Sequence, residues 1–201
     1  MTPEIMLLCL LAALLELDTT YAFQLTFSRG IITGPILGLV TGDWMAGIQA
    51  GVFTELLFID INPLGAILPP SAVICCAVAV GLKAMGIALC YSFLWGVLGA
   101  LAFSHLEQYL RKQRVRLLSR WEHRLERRPG RIYRLIAWSL VTSFATNLVL
   151  ISAFIWLSSK IMLSLQPHIP HQAFLSCQFV FMAVPWIGLA SLIPEFRLKK
   201  R

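Results

Sequence analysis

The stretch GPILGLVTGDWMAGIQAG at residues 34–51, running on into VFTELLFIDINPLGAILPPS at 52–71, decides the fold. Gly34, Gly38 and Gly42, then Gly47 and Gly51, recur at intervals of four. Each set therefore shares a helix face and allows close helix–helix approach. Glu55 follows four residues after Gly51, on that same face. The pattern delivers a carboxylate to a protein interface rather than to lipid, where an isolated charge is costly. Pro63, Gly65, Pro69 and Pro70 then stand close together, and no helix continues through such a run. Yet the flanks ELLFI and AVICCAVAV are strongly apolar. Non-helical backbone between such flanks is tolerated at membrane depth only where protein buries it or it lines a cavity. The plain alternative is a turn outside the membrane. In the broken-helix reading, Pro70-Ser71 opens the next segment, with free N–H groups and a positive helix end facing the cavity. Broken helices near mid-membrane are where transporters hold substrate.

The rest of the chain supports a membrane setting. Of 201 residues, 58% are hydrophobic and 13% charged, with a mean hydropathy of +0.75. A soluble domain carries roughly 25% charged residues, so one globular core cannot hide this much apolar surface. That excludes an ordinary soluble enzyme, a disordered tail and a disulfide scaffold. The fold expected is an all-α integral membrane protein, multi-span and helical, with broken or re-entrant helices and a cytoplasmic amphipathic helix. Apolar runs at 5–27, 31–61, 66–103, 135–165 and 173–194 supply the membrane segments, a full span needing about 20 residues. The third run has a bend around Gly81–Gly86.

Charge placement divides the chain in three. Residues 1–104 hold six acids and two bases, net −4; residues 105–134 hold ten bases and three acids, net +7; residues 135–201 hold five bases and one acid, net +4. The net +7 is thus carried by one loop and the tail FRLKKR. It reads as an orientation signal rather than a nucleic-acid footprint, because short Lys/Arg-rich segments beside spans stay cytoplasmic. The expected organisation is a membrane region with substrate-site motifs at 1–104, a basic cytoplasmic amphipathic loop at 105–134, and a two-span region with a basic cytoplasmic tail at 135–201. Within the loop, Leu106, Leu110, Leu117, Trp121 and Leu125 recur at helical spacing among Arg111, Arg114, Arg116, Arg120 and Arg124. Such a helix suits an anionic lipid surface or a cytoplasmic partner. The N-terminus lacks a basic region, and its apolar run meets Glu16 and Asp18 instead of a small-residue cleavage site, so it does not read as a signal peptide. The five cysteines lie in apolar stretches without metal-site spacing. No HExxH, GxSxG, P-loop or CxxC pattern occurs, and no catalytic residue, metal or cofactor is expected.

Gln24, Glu55, Asp60 and Asn62, with Phe23, Phe27 and Phe58 nearby, suit a sugar: carboxylates and amides pair with hydroxyls, and aromatic faces cover the ring. Ser71 at the helix opening joins this substrate-binding set. Asp43, Gly51, Pro63, Pro69 and Pro70 form a structural or gating set. An ion site uses the same carboxylates, and a Glu55 that is protonated or paired with Arg29 is the purely structural alternative.

The run FQLTFSRGIITGPILGLVTGDWMAGIQAG at 23–51, followed by TELLFIDINPLGAILPPS at 54–71, resembles the IIC permease component of the mannose/sorbose family of the bacterial phosphoenolpyruvate-dependent sugar phosphotransferase system. The likeness is close over about 15–103 and only hydropathic beyond about residue 135. Gln24, Asp43, Glu55, Pro69 and Pro70 match the family motif, with Asp60 and Asn62 as more variable candidates. The resemblance implies a sugar permease subunit in the bacterial inner membrane that carries no phosphohistidine. It works with the membrane subunit IID and the cytoplasmic phosphocarriers IIA and IIB. It also implies a sugar held between the two membrane subunits and moved by an elevator-like displacement. Two departures from the pattern are Arg29-Gly30, where the family has arginine-proline, and an early end at FRLKKR. They leave open a non-transporting or divergent scaffold subunit, and the carboxylates leave open an ion- or proton-coupled transporter.

Overall fold

The computed structural model describes residues 2–20, 26–59, 69–125 and 132–198. Among them every regular element is helical: α1 (Pro3–Thr20), α2 (Gly30–Val40), α3 (Trp44–Phe58), α4 (Ala72–Ala84), α5 (Leu89–Leu125), α6 (Ile132–Leu165) and α7 (His171–Leu198). A single 3-10 turn, Gln166–His168, joins α6 to α7.

Among the described residues, three stretches are long and apolar enough to cross a membrane: Leu89–Gln113 in α5, Ile136–His168 from α6 onward, and His171–Ser191 in α7. The other apolar helices are short. The 11 residues of α2 rise about 16 Å and the 15 of α3 about 22 Å, against a hydrocarbon core of about 30 Å. Neither crosses alone. They form an antiparallel hairpin closed at Thr41–Asp43, where Gly42 takes φ +77 and Asp43 caps α3 by accepting from the Ala46 N–H at 3.0 Å. The fourfold glycine pattern is therefore shared between two helices. Gly34 and Gly38 face Gly47 and Gly51 across the hairpin, while Gly42 departs from the helix face expected of it and serves as the turn residue. A Cβ on Gly34 would stand 2.3 Å from the Gly47 carbonyl oxygen, so the two backbones touch directly.

α4 is the centre of the molecule. Val73 through Leu82 are all buried, and α1, α2, α3, α5 and α6 pack around it. A helix apolar on every side, as AVICCAVAV is, belongs in an interior, and here protein surrounds it. Its neighbour α5 approaches closely through Gly96, where a Cβ would lie 2.5 Å from the Cys75 carbonyl oxygen. α1 lies against α6. α7 rests on α3 through Gly188, which faces the Leu56 carbonyl, and through Phe181 packed on Phe53, while Phe181 also meets Phe93 of α5. Elsewhere α6 and α7 expose Trp138, Trp156, Phe179, Met182 and Trp186, as lipid-facing helices do.

The span of α5 and the start of the basic segment are one unbroken helix of 37 residues. The expected bend between two apolar segments falls at Met85–Ala88, with Gly86 at φ +88. The connectivity fixes two ends of the bundle. One gathers the C-terminal ends of α1 and α3, the N-terminal ends of α2 and α4, and the exit of α5 toward the basic segment. The other holds the α2–α3 turn, the α4–α5 turn and the α6–α7 turn.

Candidate functional site

Helix ends leave unpaired N–H groups at one terminus and carbonyls at the other, and four such ends meet near the basic segment. Arg29 precedes α2 but gives it no side-chain cap. Glu55, one turn before the end of α3, takes over that task. Its Oε2 accepts from the Gly30 N–H at 2.9 Å, and its Oε1 accepts from the Arg29 guanidinium at 2.7 Å. This contact needs close backbones, and Gly51 provides them: a Cβ there would stand 2.3 Å from the Gly30 carbonyl oxygen. Glu55 is thus delivered by the glycine face that the sequence predicts, and it is paired with Arg29. A carboxylate has about four acceptor positions, and these two bonds occupy two of them. The Arg29 side chain is 65% exposed and that of Glu55 25%, so the pair is reachable from outside the helices.

Two more carboxylates lie at this end, from α1. Glu16 and Asp18, near the end of α1, are both buried. The Ser71 hydroxyl donates to Glu16 Oε2 at 2.6 Å and accepts from the Ile74 N–H at 3.3 Å. Ser71 thereby caps α4 and ties it to α1. Asp18 Oδ2 accepts from the Ser28 N–H at 3.3 Å, which holds the entry to α2. On α5, Glu107 pairs with Arg111 at 3.2 Å. The positive N-termini of α2 and α4 thus each meet a carboxylate or its hydroxyl partner.

Of the residues singled out in the sequence, Glu55, Gly51 and Ser71 come together at this end, with Pro69 and Pro70 leading non-helically into α4. Asp43 does not join them; it caps α3 at the opposite end of the hairpin. Gln24, Asp60, Asn62 and Pro63 lie outside the described residues. The chain positions flanking them, Thr20 and Thr26 on one side and Ile59 and Pro69 on the other, adjoin the helix ends that form the cluster. Glu16 and Asp18 stand outside the substrate set expected from the sequence and join Ser71 and the α2 entry here. The signal was available, because both interrupt an apolar run just as Glu55 does. The cluster offers hydroxyl-binding acceptors, an exposed guanidinium and helix dipoles, a set suited to a polar, multiply hydroxylated ligand.

Residues 2–200 match the family model described as "PTS system sorbose-specific iic component". The match includes the second half of the chain, where the sequence likeness is hydropathic. No curated protein matches. A solved chain described as "Structure of membrane protein" superposes with a TM-score of 0.73 at 19% identity, covering 98% of this chain and 85% of that one. That likeness shows the fold.

Proposed function

The chain belongs to the sorbose-specific IIC family of the phosphotransferase system, and from that premise we propose that it is the subunit that carries the sugar across the bacterial inner membrane. The observation that carries this reading is the Glu55 cluster at the meeting of short, broken helices, since transporters hold substrate at such helix ends. Glu55 binds sugar hydroxyls, with Ser71, Gln24, Asp60 and Asn62 as further members of the substrate set. Phosphoryl transfer resides on IIA and IIB, and IID is the membrane partner. The basic segment and the C-terminal tail face the cytoplasm, because their Lys/Arg excess resists translocation. The cluster is at the same end as that segment, so sugar leaving it emerges toward the phosphorylating subunits.

Glu55→Gln tests the assignment. A glutamine oxygen still accepts from the Gly30 N–H, and a partly exposed ion pair is worth about 0–1 kcal/mol, so insertion and fold survive. Uptake of labelled sugar by cells expressing the variant with its partner subunits falls to background. Normal uptake removes Glu55 from the site. A proton-coupled mechanism is the second reading, favoured by the buried Glu16 carboxylate beside Ser71.

A further inference from the structure

At the end of the bundle opposite Glu55, a cavity of about 270 Å³ opens between the start of α5, the end of α6 and the start of α7. Its floor is apolar, with Ile87 and Met162 both buried. Its wall is aromatic. Phe174 stands between Tyr91, with centroids 6.2 Å apart, and His171, at 6.4 Å and nearly parallel. Gln166 and His171 are exposed at the rim. The Tyr91 hydroxyl is out of contact with solvent and has no hydrogen-bond partner. An atom that solvent does not reach is closed to a ligand in the cavity as well, so Tyr91 offers the cavity its ring and not its hydroxyl.

We infer that this cavity binds a single neutral sugar ring on the face of the protein opposite the basic segment, as a loading site ahead of the Glu55 cluster. Three features select that class. Apart from the imidazole of His171, no ionisable side chain except the Tyr91 phenol is found among the lining residues, which disfavours a phosphate or a charged lipid headgroup. An aromatic wall with an amide and an imidazole at the rim suits a ring with one apolar face and a hydroxylated edge. The volume lies just below the roughly 300–1,000 Å³ of drug-sized sites, which fits one ring and excludes an oligosaccharide. The inference rests on the sugar-permease reading and extends it to the other side of the membrane.

The test uses the full chain with its membrane partner. L-Sorbose, D-fructose and D-mannose are titrated against the purified complex by saturation-transfer NMR, and uptake of the sugar that binds is measured in cells. Phe174→Ala and Gln166→Ala are expected to weaken binding about tenfold, in line with the loss of one stacking or hydrogen-bonding contact, and to raise KM for uptake with the maximal rate kept. Tyr91→Phe, which keeps the ring, is expected to weaken binding less than Phe174→Ala and serves as the variant that folds. Binding that is unchanged in Glu55→Gln but about tenfold weaker in Phe174→Ala assigns the sugar to this cavity. Wild-type uptake with an unchanged KM in all three cavity variants overturns this inference and leaves the permease reading standing. Sugar bound here without any uptake does the reverse. Failure of every sugar to bind, or a co-purified lipid lost only from the cavity variants, overturns the inference.

Discussion

Replacing Gly34 by alanine probes the contact on which the α2–α3 hairpin depends. The added Cβ would stand 2.3 Å from the Gly47 carbonyl oxygen, 2.7 Å from the Gly51 Cα and 2.9 Å from its nitrogen. Ordinary contact begins at 3.4 Å, so the helices must separate by about 1 Å. All three neighbours are backbone, and no rotamer change relieves the clash. Overpacking of this kind costs about 1–3 kcal/mol, and the absence of a flexible partner puts Gly34→Ala at the upper end. The separation also draws Glu55 away from the Gly30 N–H, so the damage reaches the site. Gly81 in α4 supplies the internal control. A Cβ there would meet only the Ile155 and Leu8 side chains, at 3.4 to 3.8 Å, which is ordinary contact. Alanine is favoured over glycine inside a helix by up to about 1 kcal/mol, so Gly81→Ala is neutral or stabilising. Thermal midpoints of the detergent-solubilised protein, read by loss of the monodisperse chromatographic peak, separate the two. For a chain of this size about 1 kcal/mol moves the midpoint by roughly 2–4 °C, so Gly34→Ala is expected to fall by roughly 6–12 °C while Gly81→Ala does not fall. A Gly34→Ala midpoint equal to wild type, or an equal loss in Gly81→Ala, refutes the direct backbone contact.

Two further outcomes follow from the helix caps. Ser71→Ala removes the α4 cap and the donor to Glu16 together; the same thermal assay should show a loss of about 1–2 kcal/mol that Ser71→Thr largely restores. Equal losses in both variants would place the effect in packing rather than in the hydroxyl. Asp43→Ala should cost about 1 kcal/mol while Asp43→Asn, which caps as well, costs almost nothing and leaves uptake intact. Loss of uptake in a stable Asp43→Asn variant would give Asp43 a role beyond the cap.

The sequence made the membrane setting, the two later helices and the break before α4 legible, because each rests on local composition. The run 135–165 and the helix Ile132–Leu165 nearly coincide, and the AVICCAVAV segment carries its burial in its own lack of a polar face. The glycine pattern was half legible. Its spacing announced close packing, but the step of five between Gly42 and Gly47 marks a turn, and the Gly-Asp before Trp44 is a cap signature that puts a helix start there. The pairing of Glu16 with Ser71 could not be read, since 55 residues separate them and only the packing of α1 on α4 brings them together. The cavity beside Phe174 was equally hidden. In sequence its rim is QPHIPHQ, an uncharged connector, and its wall joins Phe174 of α7 to Tyr91 of α5, 83 positions apart.

Transport driven by phosphorylation is tested most directly by following labelled sugar in membrane vesicles that contain this chain with IID, loaded with IIA, IIB and a phosphoenolpyruvate-generating system. Sugar is expected to accumulate inside as its phosphate ester, with uptake that stops when phosphoenolpyruvate is withheld and that a protonophore leaves unchanged. Uptake of unmodified sugar that ignores phosphoenolpyruvate and collapses with the proton gradient would contradict it.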